Sequence, residues 1–135
     1  MIPQTASAVV DGRTLPGYEK ELIETVQQLA GEHVTVESLV SDIPLEVDFS
    51  GPIVDRMIEA IKAEDPDGIP VPYLMSGGTD NKALAKLGLA GYGFSPLRLP
   101  PELDFLSLFH GVDERVPIDS LTFGARSLQH FLANA

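Results

Sequence analysis

IPVPYLMSGGTDNKALAKL, residues 69–87, changes character halfway along. Its first seven residues, Ile69–Met75, are apolar and read as a short strand. Pro70 and Pro72 suit a strand edge or a strand end, because proline cannot donate to a ladder. Ser76-Gly77-Gly78-Thr79-Asp80 then makes a turn. Asp80–Leu87 reads as a short helix, and Gly88 stops it. Strand, glycine turn and helix in that order point to an α/β architecture.

The flanking sequence continues the alternation. Leu89–Ser95 reads as an apolar, glycine-rich strand. A long loop, Pro96–Val116, leads to a helix over Pro117–Asn134, whose periodicity predicts a buried stripe of Ile118, Leu121, Ala125, Leu128 and Leu132. Toward the N-terminus, a helix runs from Pro52 to about Glu64, with Ile53, Met57, Ile58 and Ile61 facing inward. Thr5–Leu15 and His33–Val40 read as strands, and between them Tyr18–Ala30 places Tyr18, Leu22, Val26 and Leu29 on one helical stripe. Ser41–Ser50 is a polar link, so a boundary is expected near it, between residues 1–45 and 46–135.

Composition narrows the function classes. The chain has 135 residues and a formal net charge of −11, from 20 acids and 9 bases. Such an acidic chain is a poor partner for nucleic acid or anionic membranes, which demand a basic face. There is no cysteine, so disulfides, thiolate metal sites and a cysteine nucleophile are excluded. No apolar run has the length of a membrane span. The opening residues lack the basic and apolar regions of a signal peptide, and a cytoplasmic location is expected.

Two short motifs carry chemical potential. In Ser76–Asp80 the glycines let the backbone approach a ligand closely, while Thr79 or Asp80 can equally serve only as a helix cap. The motif has neither the P-loop nor the dinucleotide-binding spacing. In FHGVDER, residues 109–115, His110 can offer a neutral imidazole to a metal, with Asp113 and Glu114 close behind. The plainer alternative is a loop histidine, with Glu114 paired to Arg115 or Arg98. Arg13 can clamp a carboxylate or simply pair with Asp11. His33 and His130 have no acids at ligand spacing and read as structural or exposed.

Taken together, PYLMSGGTDNKALAKLGLAGYGFSPL, then FHGVDERVPIDSL and a closing helix resemble the C-terminal part of peptidase family M-twenty. These are zinc-dependent metallopeptidases that include acetylornithine deacetylase, succinyl-diaminopimelate desuccinylase, aminoacylase and carboxypeptidase G. IPQTASAVVDGRTLPG, residues 2–17, is similar to the strand that ends the family's lid, or dimerisation, domain. The resemblance covers nearly the whole chain. It implies the last strand–helix–strand of an α+β lid over residues 1–45, and the C-terminal part of a zinc-peptidase-like catalytic domain over 46–135.

The resemblance also implies roles. His110 would be a zinc ligand, the last in the chain. Gly77, Gly78 and Thr79 would line the site near the substrate's carboxylate, and Arg13 would help to bind that carboxylate. Glu114 would be a supporting residue. The substrate would be a small peptide or acylated amino acid with a free carboxylate. One or two zinc ions would polarise its carbonyl and lower the pKa of water.

The departures are equally specific. The family's His-x-Asp motif does not occur here, and neither does its Glu-Glu pair, which supplies the general base. Met1 stands where the family often has asparagine before Ile-Pro. The chain therefore reads as a fragment, inactive and weak in zinc binding by itself, whose partners are the missing N-terminal half and a possible second copy. The alternative class is a non-catalytic module that binds a small anion or another protein.

Overall fold

The computed structural model describes residues 2–134. Four α-helices and one short 3-10 turn form in it: α1 (Glu19–Ala30), α2 (Pro52–Glu64), α3 (Asn81–Lys86), the turn Leu106–Leu108, and α4 (Ile118–Ala133). All four helices fall where the sequence places them. Their ends have local causes. Gly17 and Gly31 bracket α1 with positive φ, and the Gly31 N–H closes the last turn on the Gln27 carbonyl. Pro52 opens α2, where its missing N–H costs nothing. Asp65-Pro66-Asp67-Gly68 ends it, with the Asp65 N–H on the Ile61 carbonyl at 2.8 Å.

The α/β expectation does not hold. No strand forms among the described residues. Thr5–Leu15, His33–Val40, Ile69–Met75 and Leu89–Ser95 carry strand-like side chains but find no ladder partner. A strand is a pairwise object, and its propensity expresses fit to a neighbouring strand more than an intrinsic backbone preference. Here those side chains stay open to solvent: Val10, Val40, Ile69 and Val71 are all largely exposed. The lid-like strand–helix–strand keeps only its helix, and the zinc-peptidase-like sheet is absent from the described residues.

The chain divides into two compact units. One comprises Met1–Val47 with Leu74–Gly91, and contains α1 and α3. The other comprises Asp48–Tyr73 with Tyr92–Ala135, and contains α2 and α4. In the first unit, Asp42 in the polar link pairs with Lys82 and Lys86 of α3, each at 3.5 Å. Gly91 also belongs there because the backbone passes tightly over Asn81. A Cβ at Gly91 would lie 2.4 Å from the Asn81 side chain.

In the second unit, α2 packs on α4. Val54 and Ala60 are the buried apolar residues of α2, while Ile53 of the expected inward set is exposed. The expected stripe of α4 is also displaced. Ser120, Gly124 and Ser127 are its buried positions, whereas Ile118 and Leu132 are 80% and 70% exposed. Residues at i, i+4 and i+7 share a helix face, and on this face small side chains admit the backbone of another segment. A Cβ on Gly124 would lie 2.6 Å from the Pro96 carbonyl oxygen. The Ser120 hydroxyl donates to the Arg98 carbonyl one turn away. Close backbone approach selected this face, and periodicity of large apolar residues does not register it. The Ser127 hydroxyl is buried there without a hydrogen-bond partner.

Candidate functional site

The first unit brings together two of the sequence-predicted elements. Arg13 and the Ser76–Asp80 turn are far apart in the chain, yet Nη1 of Arg13 donates to the Ser76 carbonyl oxygen at 2.8 Å. The same guanidinium grips Asp11, through Nε at 2.9 Å and Nη2 at 2.6 Å. The Asp11–Arg13 pair expected as the plain alternative is thus present, and the tie to Ser76 is additional. Arginine carries more N–H groups than these bonds use, so donors remain for an outside anion. The side chain is exposed, so such an anion has access.

Gly77 and Gly78 continue from that contact. A Cβ on Gly77 would meet the Met75 side chain at 3.2 Å, and one on Gly78 would lie 3.9 Å from Nζ of Lys82. A side chain at Gly77 would press on Met75, and Gly78 runs beside the Lys82 ammonium. Thr79 follows, its carbonyl accepting from the Lys82 N–H at 3.2 Å, and Asp80 occupies the N-cap position of α3 without a side-chain capping bond.

Lys82 is the residue that the sequence reading missed. It places a second cation beside the glycines, and only Gly78–Lys82 at i, i+4 in the sequence hinted at it. Lys82 is shared with Asp42. Slight desolvation works to raise the Asp42 pKa, but the Ile43 N–H and the two lysines outweigh it, so the carboxyl sits below its ordinary value of 3.8. Asp42 is therefore ionised at neutral pH and tethers Lys82.

His110 lies in the second unit, in the loop after the 3-10 turn. Its φ is +60°, and it is the sole non-glycine residue with positive φ among those described. The left-handed region costs a non-glycine residue about 1–2 kcal/mol, so neighbouring bonds must hold it. They do. The Gly111 N–H donates to the Leu108 carbonyl at 2.9 Å, and the His110 N–H donates to Oε2 of Glu114 at 3.2 Å. Glu114 therefore supports the turn that presents His110, and it pairs with neither Arg115 nor Arg98. Arg115 donates to the Asp113 carbonyl, while Arg98 pairs with Asp65 at 2.9 Å and lies over the Phe123 ring.

A structural or catalytic zinc site needs at least three protein ligands. Among the described residues no three His, Asp or Glu side chains converge. His110 is exposed and Glu114 is turned to the backbone. These residues do not fit a complete zinc site; they offer one imidazole with a supported backbone.

His130 has a partner that sequence spacing does not reveal. Its Nε2 lies 3.3 Å from Oε1 of Glu64 at the end of α2, and Arg126 approaches the other Glu64 oxygen at 3.8 Å. Glu64 is mostly shielded from solvent, so this cluster ties α2 to α4. His33 is fully surface-placed, beside Glu32.

Comparison with known proteins gives no match: no family model, no curated protein and no solved structure matches the chain. No helix among the described residues is long and apolar enough to cross a membrane.

Proposed function

We propose that this chain is part of a metal-dependent amide hydrolase, of the kind suggested by its resemblance to peptidase family M-twenty. Its own contribution is to recognise the free carboxylate of a small peptide or N-acyl amino acid and to present one imidazole, His110. The observation that carries this reading is the Arg13–Ser76 bond. It sets the proposed carboxylate clamp on the proposed carboxylate-lining turn, two elements that the resemblance assigned to one task. Arg13 would offer its remaining N–H groups to the carboxylate, Lys82 would add charge, and Gly77, Gly78 and Thr79 would leave space for the ligand. Glu114 would hold the turn that displays His110. The chain by itself is inactive, because it contains neither the Glu-Glu base nor the His-x-Asp motif.

The deciding experiment is to read the genomic DNA upstream of the Met1 codon. An in-frame continuation carrying His-x-Asp and Glu-Glu supports the hydrolase, and His110→Ala in that complete enzyme should then abolish turnover with little loss of fold. A stop codon and ribosome site directly upstream, or near-normal turnover in the variant, sinks it.

A second reading has its own support. Arg13 and Lys82 gather two cations at the glycine turn, each already paired with an acid, Asp11 and Asp42, and an anion-binding module would draw on the guanidinium's remaining N–H groups. Titration calorimetry of the chain with N-acetylglycine separates the two. Carboxylate binding in a chain without an upstream continuation favours the module.

A further inference from the structure

We draw no further inference here: the strongest candidate, the exposed apolar stripe of Ile118, Leu121, Ala125, Leu128 and Leu132 along α4, is an unpartnered helix face, and nothing in the structure shows what covers it.

Discussion

Arg13 donates a hydrogen bond to the carbonyl oxygen of Ser76 across 63 positions of sequence. A single guanidinium thereby fixes the glycine turn against the N-terminal segment and keeps donors for a ligand. The bond is solvent-exposed, so its contribution to stability is small, and its effect is on where the turn sits. Arg13→Gln should leave the fold intact while shifting the backbone amide resonances of Ser76–Asp80 and weakening N-acetylglycine binding at least tenfold. Unchanged resonances across 76–80 would mean that the tie does not persist in solution.

Gly124 makes the closest approach of any glycine in the second unit. Alanine there gains about 1 kcal/mol of helix propensity but drives a methyl into the Pro96 carbonyl. Overpacking of that kind costs about 1–3 kcal/mol, and backbone has little room to retreat. Gly124→Ala should therefore destabilise the protein by up to about 2 kcal/mol in urea denaturation, because the fixed Pro96 carbonyl puts the overpacking cost toward the top of its range. Gly93→Ala is the control, since nothing lies within 4 Å of the added methyl. Equal stabilities for the two variants would contradict the close approach of α4 to Pro96.

His110 holds a backbone conformation that glycine adopts freely. Glycine relieves about 1–2 kcal/mol of left-handed strain and adds about 0.5–1 kcal/mol of unfolded-state entropy. His110→Gly should raise the melting temperature slightly, whereas His110→Val should lower it, because a β-branched residue fits that region worst. A fall in melting temperature with glycine would show that the imidazole itself contributes to stability. A stabilising loss of His110 is what a residue retained for function, at some cost to the fold, would display.

Acid should weaken the tie between Asp42 and α3. The folded pKa of Asp42 is depressed, so its contribution is present above the unfolded aspartate value of about 3.9 and is lost as pH falls through the lower folded value. Asp42→Asn should remove that part of the pH dependence. Denaturation midpoints at pH 7 and pH 3 should differ less in the variant than in the parent; equal differences would rule out the Lys82 and Lys86 pairing as its source.

Zinc titrated into this chain should give no saturable complex at micromolar concentration, since a lone imidazole lacks the companions that a stable site requires. A stoichiometric complex, with the His110 ring resonances shifted, would reveal donors that converge only on metal binding.

The helices were legible because their information is local. Pro16-Gly17, Gly31, Pro52, the Asp-Pro-Asp-Gly stop and Pro117 mark ends that capping and backbone chemistry enforce at once. The strands were misread because alternation states which side chains suit a sheet, not whether a second strand lies alongside. The α4 stripe was misread for a related reason: periodicity weighs large apolar residues, and the buried face is Ser120, Gly124 and Ser127. Within the candidate site, Arg13 and Ser76–Thr79 were each visible as residue types. Lys82 was not, since its role depends on Asp42, another tertiary neighbour, and the Glu64–His130 pair likewise joins two helices distant in sequence.

The sequence by itself determined the acidity, the absence of thiol chemistry, the positions of four helices and the short inventory of residues able to bind a carboxylate or present an imidazole. These follow from composition and from interactions within a few residues. Only the tertiary structure decided that Arg13 meets Ser76, that small residues form the buried face of α4, and that the strand-like segments stay unpaired. Each depends on how segments far apart in sequence meet or fail to meet. Such contacts depend on which surfaces approach closely enough to exclude water and satisfy one another's polar groups, and no single segment encodes its partner.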